Sequence, residues 1–229
     1  MVHITSATVF NVNAECIVNP INVDGVIVKG VALEFALRYP QIMEEFKKEV
    51  DNDNMRIGEL YYYEIEGQKM INYPIVSSIQ NGNKYDWIEE GLKKFVEVYK
   101  DYGFKSIAFP LIGAHLPELD TDKLYRIMLR YLENLDLEIY ICDGHELGGK
   151  EAEMLKNLKN TDAYDFKNKV GIHADQLDII MLYKNRLRRF YEIIKLHQIG
   201  LETYKKIFNY FYNYQEEKET TLFDFDNEK

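Results

Sequence analysis

The sequence predicts an α/β fold with a mixed central sheet and a helical extension at its C-terminal end. Short β-prone apolar runs recur through residues 1–145. Segments with helical spacing alternate with these runs, which is the pattern of βαβ units. After about residue 165 the β-prone runs cease, and the spacing of apolar residues predicts helices alone. We therefore divide the chain into an α/β domain over 1–165, a helical extension over 166–214 and a polar tail over 215–229.

The predicted strands are runs rich in β-branched and aromatic residues, at 8–10, 16–18, 59–65, 69–73, 106–112 and 137–142. The runs 59–65 and 69–73 bracket Glu66 and Gly67, and together they predict a hairpin. The runs 106–112 and 137–142 are almost continuously apolar, which is typical of strands covered on both faces.

Helical spacing predicts helices at 31–38, 41–50, 87–101, 123–132 and 150–159, whereas 160–174 is predicted to be irregular. The segment 177–214 contains no proline and one glycine, Gly200. Apolar residues recur every three or four positions on both sides of Gly200, which predicts two helices that pack an aromatic face. The tail over 215–229 is predicted to be disordered.

Composition and charge exclude several classes of protein. Hydrophobic residues make up 46% and charged residues 29% of the 229 residues, which argues against disorder of the whole chain. No apolar run approaches the roughly 20 residues of a membrane-spanning helix, so we expect no membrane partner. The net charge of −10 argues against nucleic-acid binding over the whole surface. The charge is uneven, because 177–214 carries a net of +4 and 215–229 a net of −4.

The two cysteines indicate a reducing compartment. Cys16 and Cys142 lie in apolar runs and form no CxxC pair, so we expect two buried, reduced thiols. The N-terminus has no basic region followed by an apolar core, and no secretory signal is expected. These features favour the cytoplasm.

The most informative stretch is 16–35, in which a buried strand runs into a polar loop and then directly into a helix. Ligands of α/β sheets bind outside the carboxyl ends of strands. The loop contains Asn22, Asp24, Gly25, Lys29 and Gly30. Glycines let the backbone approach a ligand, and the free N–H groups of the following helix favour an anion such as phosphate. The alternative is a connection of turn-forming residues that binds nothing.

A second loop follows the run 106–112 and precedes a helix that Asp120 or Thr121 is expected to cap. Its candidate site residues are Gly113, Ala114, His115 and Leu116. Gly113 permits close approach of the backbone, and His115 has the chemistry of a general base near neutral pH. The alternative is an exposed loop histidine without a role in binding.

Together these two loops resemble the macrodomain family, which binds ADP-ribose. The resemblance covers roughly residues 1–145 and is strongest for the branch that includes the DarG antitoxin and the terminal ADP-ribose glycohydrolase. That branch has a loop VNxVNxxGxMGKGIALxF, a helix ending in (F/Y)P, a strand ending in NFPTK and, later, IAxPxLGCGxGGL. This chain has VNPINVDGVIVKGVALEF, ALRYP, INYPIV and IAFPLIGAHLPEL in the same order. The resemblance implies a three-layer α/β/α macrodomain.

The resemblance also implies roles for individual residues. Asn22 matches the asparagine that contacts the distal ribose, and Lys29 and Gly30 match the KG of the first phosphate-proximal loop. Gly113 matches the first glycine of the second loop, whose backbone lies along the diphosphate. Later positions of that loop are taken by Ala114, His115 and Leu116.

Three departures from the family pattern bear on activity. Ala7 and Thr8 stand where the family has an aspartate for the adenine amino group. Val76 stands at the lysine of NFPTK, which attacks or positions the distal ribose, and Pro117 stands at the aspartate that the terminal glycohydrolase uses. Neither apolar side chain can attack a ribose carbon or transfer a proton.

We therefore expect binding of ADP-ribose or a related nucleotide without efficient catalysis, in a toxin–antitoxin, phage-defence or signalling context that the resemblance implies. One alternative is a glycohydrolase that removes ADP-ribose from DNA or protein, with Asp24 or His115 recruited as catalyst. Another is an interaction protein with a degenerate pocket. No cofactor and no metal ion are expected. The expected partners are an ADP-ribosylated macromolecule and, through 177–214, another protein or a second copy of the chain.

The basic residues of the extension have two interpretations. These residues are Arg186, Arg188, Arg189 and Lys195. In one interpretation they contact a nucleic acid or an acidic partner. In the other they form an ordinary helix face exposed to solvent. In the tail, the segment 221–225 (TLFDF) resembles a short aromatic and acidic docking motif.

Overall fold

The computed structural model describes residues 1–214 apart from Val28, Asp53, Glu66 and 78–81. Contacts divide the chain into two compact units, Met1–Gly149 and Lys150–Lys229. That an independently folding domain ends near residue 165 stays a prediction. The tail 215–229, for which disorder and a docking motif at 221–225 are predicted, lies outside the described residues.

The first unit contains a six-stranded mixed sheet. Its strands are β1 (Val2–Thr5), β2 (Cys16–Asn22), β3 (Tyr61–Ile65), β4 (Gln68–Val76), β5 (Ser106–Pro110) and β6 (Glu138–Cys142). The order across the sheet is β1-β6-β5-β2-β4-β3, and every neighbouring pair is parallel except β3 and β4. The five parallel strands therefore end on one side of the sheet, which we call the carboxyl edge.

The hairpin and the strands predicted from 16, 106 and 137 onward are confirmed, but the strand predicted at 8–10 is wrong. Residues 9 and 10 lie in a turn, in which the N–H of Asn11 donates a 3.0 Å hydrogen bond to the carbonyl of Thr8. The first strand is β1, which the sequence analysis misses. It pairs with β6 at an edge of the sheet and is half-exposed, so it lacks the continuous apolar run of a central strand.

Four described helices cover the sheet of the first unit. They are α1 (Gly30–Arg38), α2 (Pro40–Asp51), α3 (Lys84–Val98) and α4 (Thr121–Leu132), close to the predicted bounds. Pro40 divides α1 from α2, because a proline breaks a helix interior but fits a first helical turn. Asp120 caps α4 as predicted, since its carboxylate accepts a 2.7 Å hydrogen bond from the N–H of Lys123.

The sheet separates two apolar layers, because alternate residues of each strand point to opposite faces. Helices α3 and α4 pack on one face, against residues that include Tyr73 and Phe109. Helices α1 and α2 pack on the other, where Phe35 meets Ile17 and Met70. The three-layer α/β/α arrangement is thus confirmed.

One polar pair interrupts these apolar strands. Asn19 of β2 and Asn72 of β4 lie opposite each other in the register, and both are buried. The Nδ2 of Asn19 donates a 2.9 Å hydrogen bond to the Oδ1 of Asn72. A buried polar group without a partner costs about 1–3 kcal/mol, so each amide offsets part of the cost of burying the other.

Both cysteines are buried and not in a disulfide, as predicted. Desolvation by burial raises the pKa of the Cys16 thiol, and it raises that of Cys142 to about 12. Both are therefore protonated and unreactive at neutral pH.

The described part of the second unit is built from helices. They are α5 (Gly149–Asn160), α6 (Ala163–Val170), α7 (Ala174–Tyr183) and α8 (Leu201–Tyr212). Helix α6 lies within 160–174, so the prediction of irregular structure there is wrong. Its two buried residues, Phe166 and Val170, are one helical turn apart, and a segment this short carries a weak periodic signal. Neither unit has a described helix with the length and apolar character needed to cross a bilayer.

The prediction of two helices around Gly200 is right for the second, whereas the first is an α-helix only as far as Tyr183. Helix α8 begins directly after Gly200 and buries one aromatic face. Before Gly200, two 3₁₀ segments follow α7, Lys184–Arg186 and Phe190–Lys195. The buried residues there recur every three positions and are Leu187, Phe190 and Ile193. That spacing suits both an α-helix and a 3₁₀-helix.

A buried ion pair joins α5 to the second 3₁₀ segment. The Arg189 guanidinium donates to both carboxylate oxygens of Glu151, with an Nη2–Oε2 distance of 2.7 Å. The same carboxylate accepts a 2.9 Å hydrogen bond from the N–H of Phe190. Charge-assisted, bidentate pairs of this kind fix geometry strongly, so the pair holds the 3₁₀ segment against α5.

Candidate functional site

The carboxyl edge brings together the candidate residues of both predicted loops. The described residues that follow the parallel strands before the next element are 6–15, 23–27, 29, 77, 82–83, 111–120 and 143–148. The nine candidates lie at the end of β2, in the loop after it, at the start of α1 and in the loop after β5. Because β2 and β5 are neighbours in the sheet, these loops are adjacent.

The first loop begins with a tight turn at Asn22. The Oδ1 of Asn22 accepts a 2.9 Å hydrogen bond from the N–H of Asp24, and its carbonyl accepts from the N–H of Gly25 at 3.2 Å. Gly25 has a φ of +76°, and a Cβ there would approach Val50 to 3.2 Å, so the turn favours glycine. No described residue accepts from the Nδ2 of Asn22, which leaves that donor for a ligand.

The loop ends at a helix N-terminus suited to an anion. Lys29 is the N-cap of α1, its side chain makes no capping hydrogen bond, and no acidic residue lies in the first turn. Gly30 begins the helix with a φ of +69°. The first N–H groups of a helix have no partner within it and carry partial positive charge. Lys29 adds a full positive charge at the same place.

The second loop is a series of turns that begins at Gly113. The N–H of Leu116 donates a 2.9 Å hydrogen bond to the carbonyl of Gly113, and a further turn follows at Leu119. Gly113 is buried with a φ of +86°, and a Cβ there would lie 2.9 Å from side chains of both α3 and the loop itself. Within the described chain, the N–H groups of Gly113 and His115 have no acceptor. Ala114 and His115 are exposed, and Leu116 is half-buried.

The charges of the two loops meet at His115. Although this residue is largely exposed, neighbouring atoms partly desolvate its ring, and this lowers its pKa below the ordinary histidine value. The positive charges of Lys29 and Lys84 act in the same direction, and Glu118 opposes them. Desolvation is the largest of these causes, and the contribution of Lys29 shows that its ammonium acts on the second loop as well as on the start of α1.

Contacts to α3 hold the second loop in place. Lys84 and Glu118 form an ion pair with each other. The Tyr85 hydroxyl accepts a 2.7 Å hydrogen bond from the N–H of Asp120, and the Lys123 ammonium lies 3.7 Å from the centre of the Tyr85 ring. No pattern in the sequence indicates this role for Tyr85, which lies two residues before the predicted helix 87–101.

The position of the family lysine lies directly beside the first loop. Val76, the last residue of β4, is opposite Asn22 in the strand register. Its carbonyl accepts a 2.9 Å hydrogen bond from the N–H of Val23. Pro117, at the other expected catalytic position, is exposed in the second loop. Apolar side chains thus occupy both positions at this edge.

The position of the family aspartate lies at the far end of the same edge. The carbonyl of Ala7 accepts a 3.2 Å hydrogen bond from the N–H of Gly144, which joins the loop after β1 to the loop after β6. A Cβ placed on Gly144 would lie 3.9 Å from the methyl group of Thr8. Thr8 is therefore the side chain available to a ligand group at this end.

A cleft that the sequence analysis did not predict opens beside Asp24 and Gly25. It has a volume of about 420 Å³. Its other lining residues come from α2 and are Met43, Glu44, Phe46, Lys47, Val50 and Asp51. The signal for it in the sequence is an amphipathic helix close behind the polar loop.

Comparison with known proteins gives consistent relatives. The family model for the Macro domain matches residues 18–128. A DNA ADP-ribosyl glycohydrolase of Mycobacterium tuberculosis is 26% identical over 168 residues, which are 70% of this chain and 47% of the relative. One of Thermus aquaticus is 28% identical over 133 residues, 55% of this chain and 37% of the relative. The chain therefore spans less than half the length of these curated relatives.

Two solved structures share the fold. The macrodomain of Thermus aquaticus DarG is 25% identical with a TM-score of 0.58, covering 62% of this chain and 98% of that chain. Thermosipho africanus DarTG in complex with ADP-ribose is 24% identical with a TM-score of 0.57, covering 64% of this chain and 43% of that chain. Together with the match of 18–128 to the Macro domain model, these similarities show that the chain has a macrodomain-like α/β fold.

Proposed function

We propose that this chain binds ADP-ribose, or a related ADP-ribosyl nucleotide, at the carboxyl edge of its sheet. The observation that carries the proposal is the meeting of two loops beside the Lys29 ammonium, whose charge also acts on His115. The uncapped start of α1 and the N–H groups of Gly113 and His115 offer donors to a diphosphate. The presence of ADP-ribose in the Thermosipho africanus DarTG complex agrees with this ligand.

The order of the strands suggests how the ligand lies. The distal ribose would meet Asn22 at the end of β2, where the free Nδ2 can donate to a hydroxyl. The diphosphate would lie between the start of α1 and the loop after β5. The adenine would then reach Thr8, beside the loop after β6. Asp24 and Gly25 hold the turn that places Asn22, and they border the cleft on the ribose side.

We further propose that the chain reads ADP-ribose without removing it efficiently from a macromolecule. Glycohydrolysis requires a nucleophile or a proton donor at the distal ribose. Val76 and Pro117 supply neither. The lowered pKa of His115 keeps its imidazole neutral at pH 7, which suits a hydrogen-bonding role toward the ligand.

A glycohydrolase is the second candidate, and the names of the relatives favour it. Three curated relatives are named DNA ADP-ribosyl glycohydrolase, and a fourth is a fusion of a DNA ADP-ribosyl transferase with such an enzyme. In that context a transferase places the modification, and this chain would read or remove it. Asp24 and His115 are the side chains available to replace the missing catalytic groups.

Calorimetric titration of the full chain with ADP-ribose, AMP and ribose 5-phosphate tests the binding proposal. We expect ADP-ribose to bind more tightly than either fragment, because both ends and the diphosphate would contribute. Lys29→Met should weaken binding, whereas Lys156→Met on α5 should not. Equal or absent binding of all three ligands would reject the proposal.

A further inference from the structure

The second unit has an exposed basic and aromatic surface with no role in the proposed ADP-ribose site. Residues 183–195 contain five Lys or Arg and a single Glu. The exposed members form what we call the basic–aromatic surface, namely Tyr183, Arg186, Arg188, Tyr191 and Lys195. Residues 1–149, by contrast, contain 24 Asp or Glu and 14 Lys or Arg. The surface therefore stands out against a chain that is acidic as a whole.

The local structure turns these side chains outward. In the second 3₁₀ segment, Phe190 and Ile193 are buried, and residues three apart share one face of a 3₁₀-helix. Tyr191 lies on a different face of the segment and is exposed, and Arg188, in the bend before the segment, is exposed as well. The Glu151–Arg189 ion pair holds the segment against α5. The surface is thus presented on a fixed backbone.

The cations of this surface outnumber the acidic group beside them. The Glu192 carboxylate accepts hydrogen bonds from the N–H groups of Arg188 and Arg189, at 2.7 and 3.2 Å, and the charges of Lys195 and Arg188 help to lower its pKa. Arg189 itself is held by Glu151. As far as the structure describes the chain, Arg186, Arg188 and Lys195 form no ion pair in direct contact, so three positive charges face one negative charge and the surface keeps a net positive charge for a partner.

Aromatic rings lie among these charges. The Arg186 guanidinium is 5.7 Å from the centre of the Tyr183 ring, and the Lys195 ammonium is 4.8 Å from that of Tyr191. The exposed fractions of Tyr183 and Tyr191 are 37% and 46%. Exposed rings next to unpaired cations are what single-stranded nucleic acids require, because the rings stack on bases and the cations contact phosphates.

We propose that the basic–aromatic surface binds single-stranded nucleic acid. A duplex would use the cations but hides its base faces from the tyrosines. An acidic protein would likewise use the cations without needing two exposed rings. The proposal does not depend on ADP-ribose binding, since it concerns residues of the second unit alone.

The test is fluorescence anisotropy of the full chain with a labelled oligothymidine of about 16 nucleotides. Three phosphate contacts predict a slope of about −2 for log K against log salt concentration. The variant R186Q/R188Q should bind about 25-fold more weakly near 0.1 M salt, because each of the two lost contacts removes roughly a factor of five. Tyr191→Leu should lose about tenfold through stacking.

The matched control is K156Q/K167Q, which removes the same charge from exposed sites outside the surface and should bind like the wild type. A duplex of the same length and polyglutamate should both bind more weakly than the oligothymidine. Equal binding of polyglutamate with no effect of Tyr191→Leu would overturn the proposal in favour of an acidic protein partner. Loss of binding in the control, or no binding by the wild type, would also overturn it.

Discussion

The N–H of Val23 donates a 2.9 Å hydrogen bond to the carbonyl of Val76, which joins the first residue of the loop after β2 to the end of β4. This bond places the side chain at position 76 next to the turn of Asn22. Position 76 is therefore where an introduced group would reach a ribose bound to Asn22.

Val76→Lys should turn a binding protein into a slow hydrolase. The wild type is expected to release ADP-ribose poorly from ADP-ribosylated DNA and protein in single-turnover assays. An amine at position 76 should accelerate release by a factor of roughly 100 or more, the usual contribution of such a group. Val76→Met, of similar shape but without an amine, is the control. Fast wild-type turnover that disappears in Asp24→Ala or His115→Ala would contradict the reader hypothesis.

Asn22→Asp should weaken ADP-ribose binding while preserving the turn. The carboxylate still accepts from the N–H of Asp24, but the Nδ2 donor is lost and a negative charge is added near the ligand. Asn22→Ala should cost on the order of 1 kcal/mol or more in calorimetric titration. Asn134→Ala, at an exposed asparagine outside the carboxyl-edge loops, is the control. Unchanged affinity in both Asn22 variants would remove this residue from the site.

Binding should become tighter as the pH falls toward the titration of His115. Its pKa is lowered in the free chain by partial desolvation and by Lys29, and a diphosphate would raise it by favouring the imidazolium. Binding would then take up a proton, so affinity should rise below the ordinary histidine pKa of about 6.5. For stability the sign is opposite: the free fold disfavours the protonated ring and loses stability as the pH falls through this range.

Titrations at about pH 5.5 and pH 8, on either side of that value, measure the effect. His115→Gln should abolish the pH dependence, whereas His197→Gln at an exposed position of the second unit should retain it. A pH dependence that survives in His115→Gln would assign it to another group.

The adenine end should discriminate weakly between bases. A threonine hydroxyl accepts a hydrogen bond from an amino group less strongly than a carboxylate does. ADP-ribose and its guanine analogue should therefore bind with similar affinity, and Thr8→Asp should increase the preference for adenine. Thr8→Val serves as the matched control. A strong adenine preference that persists in Thr8→Val would show that Thr8 does not read the base.

Arg189→Met should destabilise the second unit by about 3–5 kcal/mol, because it leaves the buried Glu151 carboxylate without its cation. Urea denaturation followed by circular dichroism measures the loss. E151L/R189M should recover much of it, since both buried charges are then removed. An Arg189→Met chain as stable as the wild type would mean that the pair adds nothing to the fold.

The sequence predicted those elements in which the local residue pattern matches the burial that the element has in the folded chain. The run 16–35 combined a buried strand, turn residues and a helix start, and the structure has these in that order. β1 was missed because an edge strand needs no apolar run. The 3₁₀ segments before Gly200 were taken for an α-helix because a three-residue spacing of Leu187, Phe190 and Ile193 fits both.

The sequence allowed each loop of the candidate site to be predicted by itself, but not the arrangement of the loops relative to one another. Which loops lie side by side depends on the strand order, and this follows from long-range pairing. The field of Lys29 at His115 and the support from Tyr85 arise between residues far apart in the chain, so no local pattern signals them. The cleft against α2 was missed for the same reason.

The buried pair of Asn19 and Asn72 has a consequence for assembly of the sheet. Apolar strands such as β2 and β4 can be aligned in several ways at similar hydrophobic gain, whereas the two amides share their hydrogen bond in one alignment. A slip by one residue would turn every side chain of a strand to the opposite face and separate the two amides. The register shifts by one residue between Ile21 and Asn22, and beyond this irregularity Asn22 lies beside Val76. The residue next to Asn22 at the mouth of the site is thus decided inside the sheet, by the amide pair together with the irregularity that follows it.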